Sequence, residues 1–314
     1  MDNSDINLEV KSKSVVTGSY LSGFCTSTSA ALYFTGTECT KVVYTSSSSG
    51  SSGHPRESYS TVTIVRSIID IDSPRRASSK APFQFYIPDQ LPSSFYYKDG
   101  NGSYVCVSYQ LKLLLGREVV KVIPIRVIAK PSLDPLRRIV SEDHVRRRIM
   151  LAGCIPKGFV ETSIKVNNTR LGSGEVMTID IQILNNSSVD IEWISATLTE
   201  QVDWHSRGHY TSDKIYVASQ KFPDSISMKS KARMRQGMTK IQPNNSYQDS
   251  DYIMTSSSKV RIRIPDKTLQ TYEGNMFEVK HYLDIKAKTR CGYTNTKLHI
   301  PVHITSPKKY LRRI

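Results

Sequence analysis

Lys259-Val260-Arg261-Ile262-Arg263-Ile264 alternates cation and aliphatic without a break. Successive side chains of a strand point to opposite faces, so this run predicts Val260, Ile262 and Ile264 in a core and the three cations in water. Residues 178–183 alternate likewise, with Ile179, Ile181 and Ile183 inward. Leu298, Ile300, Val302 and Ile304 repeat the pattern beside His299, Pro301 and His303, and Pro301 marks an edge or bulge position. Short runs of this kind, separated by Gly, Ser, Asn and Asp, recur along the chain and predict an all-β protein of sandwich type. One stretch breaks the pattern: in residues 134–151, Leu136, Ile139, Val140, Val145 and Ile149 sit at roughly helical spacing among Arg137, Arg138, Arg146, Arg147 and Arg148. It predicts a basic helix near mid-chain, where a linker belongs.

The 314 residues exceed what one core usually organises, so two domains are expected and a disulfide-stapled miniprotein is excluded. A hydrophobic share of 38% with 23% charged residues excludes both a membrane-embedded chain and a disordered one. Lys and Arg number 43 against 28 Asp and Glu, and the resulting +15 draws anionic partners without naming them. Cys25, Cys39, Cys106, Cys154 and Cys291 are widely spaced and include no C-x-x-C pair, which speaks against a zinc ribbon or a complete disulfide framework and for a reducing compartment. The acidic start, Met1 to Asp5, precedes no apolar segment of signal-peptide type.

An internal repeat is visible. Ile87-Pro88-Asp89 recurs as Ile264-Pro265-Asp266, and Ile123-Pro124-Ile125 as Ile300-Pro301-Val302, both 177 residues later. A second match, Ser22-Gly23 with Ser173-Gly174 at an offset of 151, places an insertion in the second copy, around residues 225–258. That polar stretch and residues 45–53 read as mobile loops.

Ala81-Pro82-Phe83-Gln84-Phe85-Tyr86-Ile87-Pro88-Asp89-Gln90-Leu91-Pro92-Ser93-Ser94-Phe95 resembles the arrestin family, specifically its α-arrestin (arrestin domain-containing) branch, whose pattern there is P-F-x-F-x-I-P-x-x-L-P-S-S-F. The signature residues are Pro82, Phe83, Phe85, Ile87, Pro88, Leu91, Pro92 and Phe95. In the second half the resemblance continues at Gly174 and Glu175, at Asn185-Asn186, at residues 194–200, at Pro265 and from Cys291 to Ile304. It implies two tandem arrestin-like, immunoglobulin-like β-sandwiches: a first domain over residues 1–132, the basic linker over 133–151, a second domain over 152–307 and a short basic tail over 308–314. It also implies a non-enzymatic adaptor, cytoplasmic and peripheral at the plasma membrane or endosomes. Such an adaptor binds cytosolic tails of membrane proteins and links them to endocytosis, endosomal sorting or ubiquitination. No Pro-Pro pair occurs, so direct recruitment of a WW-type ubiquitin ligase through Pro-Pro-x-Tyr is not expected, and any ligase machinery would come through another subunit.

Lys11 and Lys13 alternate in the expected first strand and form a candidate grip for phosphate or an acidic cargo tail. Arg137, Arg138, Arg146, Arg147 and Arg148 form a second candidate, for anionic or phosphoinositide lipids, with further basic runs at residues 229–235 and 308–313. The commoner role of each run is a solvated surface. Nucleic acid is the competing partner, as in a structural or basic nucleic-acid-associated β protein, but no RNA-recognition, KH or zinc-finger spacing accompanies the charge. His281, His299 and His303 are the only metal set worth naming, and no catalytic motif, metal or cofactor is expected. Trp193 and Trp204 read as packing residues of core and loop.

Overall fold

The computed structural model describes residues 7–26, 30–45, 54–69, 80–130, 139–222, 255–289 and 293–305. The protein is all-β, in two tandem sandwich-like bodies. The first contains β1 (Leu8–Val10), β2 (Ser14–Val16), β3 (Tyr20–Cys25), β4 (Ala30–Thr45), β5 (Pro55–Ile69), β6 (Ala81–Tyr86), β7 (Phe95–Lys98), β8 (Tyr104–Leu115) and β9 (Glu118–Ile128). The second contains β10 (Ser141–Leu151), β11 (Ile155–Val166), β12 (Arg170–Gly172), β13 (Val176–Ser187), β14 (Ile191–Ser206), β15 (His209–Phe222), β16 (Thr255–Arg263), β17 (Tyr272–Glu273), β18 (Phe277–Thr289) and β19 (Thr296–Thr305).

Each body pairs a small sheet with a large one. In the first, the order β1-β3-β6 faces β2-β9-β8-β4-β5, with β7 beside β8; in the second, β10-β11-β13-β16 faces β12-β19-β18-β14-β15, with β17 beside β18. The alternating runs fill the space between sheets: Ile179, Ile181, Ile183, Val260, Ile262, Ile264, Leu298, Ile300, Val302 and Ile304 are all buried in one cluster. His299, Pro301 and His303 face outward. Pro301 lies just before the three residues of β19 that pair with β12, so its missing N–H falls where the strand has a free edge.

The duplication can be followed bond by bond. Gly18 N–H donates to Ile87 O at 2.8 Å, and Gly174 N–H donates to Ile264 O at 2.9 Å. Ile87 N–H returns to Ser19 O and Ile264 N–H to Glu175 O, both at 2.9 Å. Both glycines have positive φ, +73° and +86°, and a Cβ on either would meet an Asp carboxylate, Asp89 or Asp266. Gly174 is therefore the counterpart of Gly18, not of Gly23 as the sequence match suggests. Gly23 sits inside β3, where a Cβ would lie 2.1 Å from the Glu9 carbonyl oxygen, so its role is close strand approach rather than a turn. Both parallel pairs, β2 with β9 and β12 with β19, follow the same plan.

The basic stretch expected as a helix is a strand. From Ser141 to Leu151 the chain forms β10, which pairs antiparallel with β11 at the edge of the small sheet of the second body. Val145 and Ile149 pack on the core cluster. The spacing misleads because an edge strand carries charge on both faces: Arg147 stands exposed opposite the buried Val160, and Arg146 and Arg148 occupy the other face. Asn185 and Asn186 belong to the end of β13; Asn185 is buried, and its Nδ2 donates to Val189 O at 2.9 Å across the turn that follows. Of the loops expected over residues 45–53 and 225–258, residues 46–53 and 225–254 lie outside the described residues, whereas Thr45 ends β4 and residues 255–258 begin β16, pairing with β13.

Because φ is positive at Gly18 and Gly174, Gly18→Ala and Gly174→Ala are each expected to lower stability by about 1–2 kcal/mol, even though the Asp side chain beneath can move aside. Urea unfolding of the two variants measures this, and an unchanged midpoint in either would show that the turn tolerates a side chain.

Candidate functional site

The core of the first body does not stop at its own boundary. Val202, Trp204, Phe277 and Val279, from β14 and β18, belong to the same buried cluster as Phe34, Val107 and Leu111 of the first body. Phe95, at the end of the signature stretch, packs edge-on against Phe277 at 5.2 Å and Tyr272 at 5.9 Å, so it is an anchor between domains. The rest of that stretch explains its own composition. Phe83 and Ile87 are buried, Phe85 lies 5.2 Å from Phe34, and Pro82 stands exposed on the edge strand β6. Pro88 to Pro92 carries the chain from the small sheet to the large one, with the half-buried Leu91 packed on the core and Pro92 O accepting from Tyr109 OH at 2.8 Å. Ser93 and Ser94 hydroxyls accept the backbone N–H groups of Ala129 and Val127 at 2.8 and 3.0 Å, replacing a neighbouring strand at the end of β9.

At the centre of the junction lies Glu38, a buried carboxylate of β4. Its acceptors are met entirely from the second domain, by Tyr272 OH, Asn275 N–H at 3.0 Å and Met276 N–H at 3.2 Å. Burial, with the Glu38 carboxylate beside it, holds the Tyr272 phenol well above its usual range. The β14–β15 hairpin docks alongside. Thr40 OH donates to His205 O at 2.8 Å, Trp204 Nε1–H to Lys41 O at 3.1 Å, and Ser58 and Ser60 share hydrogen bonds with Ser206, each at 3.0 Å. Tyr44 stacks on His209 at 3.7 Å, and Tyr97 OH donates to Asp213. His205 and His209 thus bracket a two-residue turn, Arg207-Gly208, both at positive φ, that serves docking. Trp204, expected in a loop, is a buried strand residue of the junction, whereas Trp193 is half-buried under the Lys221 ammonium at 4.5 Å.

The candidate cationic sites fall on different elements. Lys11 and Lys13 are exposed, but they occupy the bend where the chain passes from β1 to β2, rather than one strand; Lys11 leans on Phe24 at 5.9 Å. Arg146 is engaged with Glu161 at 3.2 Å and lies 3.7 Å from the Phe159 ring, whereas Arg147 and Arg148 are exposed. Beyond them Thr294 OH donates to Arg148 O at 3.2 Å and Leu151 bridges Tyr293, closing that end of the edge. The outer edge of β10 from Ser141 to Arg147 carries no strand among the described residues. Arg137, Arg138 and the basic runs at 229–235 and 308–313 lie outside the described residues. Between the domains a shallow crevice is lined by Leu91, Lys130, Arg170, Tyr272 and His303, among others.

The three histidines do not converge, and no group of metal-ligating side chains gathers among the described residues. His281 is buried, with Nε2 3.2 Å from Glu200 Oε2 and Nδ1 3.0 Å from Thr271 Oγ1; Glu200 also accepts Leu269 N–H at 3.0 Å. His299 lies on the opposite face, 2.7 Å from Asp284 and stacked on Tyr282. Burial alone would push the Asp284 carboxyl up; the hydrogen bond from His299 and the nearby Lys297 ammonium outweigh it and hold the group below its usual value.

Residues 156–309 match the family described as Arrestin (or S-antigen), C-terminal domain. The match supports membership of the arrestin family. It spans the second sandwich from the start of β11 to past the end of β19, and the tandem two-sandwich architecture is consistent with the arrestin fold. No curated protein matches the chain. Arrestins are generally non-enzymatic scaffolds that bind cytosolic receptor tails and trafficking machinery, and an arrestin domain suggests an adaptor-type role here in those general terms.

Two expectations follow from the junction and the Asp284 pair. Glu38→Ala leaves two backbone N–H groups and a phenol unmet in a buried interface and is expected to cost about 3 kcal/mol, separating the unfolding of the two domains. Calorimetry reads this as one transition becoming two. Because the folded Asp284 carboxyl sits below its unfolded value, its contribution is present above the unfolded pKa of about 3.9 and is lost as pH falls through the folded value. Asp284→Asn should therefore flatten the acid limb of the stability–pH curve while leaving the limb above pH ~5 unchanged in shape.

Proposed function

We propose that this protein is a trafficking adaptor of the α-arrestin type, which holds cytosolic segments of membrane proteins and links them to endocytosis, endosomal sorting or ubiquitination. The observation that carries the reading is the open edge of β10. There an extended strand of a second sandwich with an arrestin C-domain match has no strand beside Ser141 to Arg147 among the described residues, next to exposed Arg147 and Arg148. An extended cargo tail adds to such an edge by main-chain hydrogen bonds, and neighbouring guanidinium groups favour acidic or phosphorylated side chains on it. Exposed Lys11 and Lys13 on the first domain supply a second cationic contact, and the same charge draws the protein to anionic membrane surfaces from the cytoplasm.

Proximity labelling from the tagged protein in living cells tests the proposal, with a variant carrying Lys11→Ala, Lys13→Ala, Arg147→Ala and Arg148→Ala alongside. Receptors, transporters or endosomal coat proteins are expected among the enriched neighbours, and their enrichment should fall at least several-fold in the variant. Enrichment of RNA-associated proteins without membrane cargo would overturn the adaptor reading.

A further inference from the structure

Cys39 on β4 and Cys106 on β8 are directly opposite each other in the antiparallel ladder. Their side chains share the outer face of the large sheet of the first domain, half-buried, while Glu38 and Thr40 on either side of Cys39 point inward to the domain junction. Directly opposed residues of an antiparallel pair have Cα atoms about 4.5–5.5 Å apart with their side chains on one side of the sheet. A disulfide spans Cα separations of about 4.4–6.8 Å, so closing one here asks for side-chain rotation and not for backbone movement. The two thiols are neighbours across the ladder, on adjacent strands and the same face. The Cys39 sulfur also lies 3.8 Å from both Thr37 Oγ1 and Thr61 Oγ1, the latter donating to it.

We propose that Cys39 and Cys106 form a thiol oxidation site that a peroxide converts into an intramolecular disulfide. In the first step the Cys39 thiolate sulfur attacks one peroxide oxygen; the O–O bond breaks, Cys39 becomes a sulfenic acid, and the departing hydroxide takes up a proton and leaves as water. In the second step the Cys106 sulfur attacks the Cys39 sulfur, the S–O bond breaks, and the hydroxyl leaves as water with the proton that Cys106 gives up. Two thiols and one peroxide thus yield one disulfide and two waters, each sulfur losing one electron. The surroundings assign the order of attack. The neighbouring Cys106 thiol holds the Cys39 thiol below its usual range, and the same neighbour together with burial raises Cys106, which stays the proton holder until Cys39 has been oxidised. Once formed, the bond ties β4 to β8 directly behind the residues that hold the second domain.

The test is peptide mapping of the full-length purified protein after limiting hydrogen peroxide and alkylation of the remaining thiols. The expected result is a linked Cys39–Cys106 peptide, reversed by dithiothreitol, with those two thiols lost together while exposed Cys154 is still alkylated. In Cys106→Ser the linked peptide should vanish and dimedone should trap a sulfenic acid at Cys39. In Cys39→Ser, Cys106 should stay alkylated at the same peroxide dose. The proposal is overturned if Cys39 and Cys106 remain fully alkylated at peroxide levels that oxidise Cys154, or if Cys39 is recovered linked to any other cysteine. The wild-type map decides by itself, so a variant that fails to fold does not weaken the result.

Discussion

One buried carboxylate organises this molecule. Glu38 belongs to the first domain, yet its hydrogen bonds come from Tyr272, Asn275 and Met276 of the second. Leaving a buried charge without donors is far more costly than any one docking interaction is favourable, so the first domain is complete only when the second is in place. The apolar packing leads to the same conclusion: Trp204 and Phe277 fill space against Phe95 and Tyr97, and removing them would open the first core to water. Rigid juxtaposition of two sandwiches is thus built into residues more than a hundred positions apart, and the surfaces they present to a partner are held in fixed relation.

What the sequence reveals and what it conceals follow from range. Alternation is a local property, so the buried faces of β13, β16 and β19 could be read from Ile179, Val260 or Ile300 directly. The repeat was also legible, because Ile-Pro-Asp marks a place where a turn glycine, a strand end and a carboxylate must fit together. Its upstream partner was misassigned since Gly18 and Gly23 differ only in what surrounds them: a positive φ in one case, a neighbouring carbonyl in the other. The junction was not legible at all. Nothing near Glu38, Ser58 or Ser206 in the chain signals that they meet, and Trp204 reads as a loop aromatic until its indole N–H is seen to reach Lys41. Among the candidate cations the sequence could not separate Arg146, held by Glu161 and Phe159, from the exposed Arg147 and Arg148.

The same lesson applies to the basic mid-chain segment. Its apolar residues fit a helical period by accident, since an edge strand is released from strict alternation once one side of it meets only solvent. Reading it as β10 changes its meaning. A helix would stand apart from the sandwich as a linker; a strand paired with β11 is part of the second body.

Each domain also closes on itself through a short parallel pair, β2 with β9 and β12 with β19. In both pairs the first strand of the large sheet lies beside its last and runs in the same direction. Tension applied between the start of β12 and the end of β19 therefore slides the two strands along each other and strains their hydrogen bonds together, instead of peeling them one by one. Pulled along that line, a domain closed by such a shear clamp resists extension with its strongest geometry.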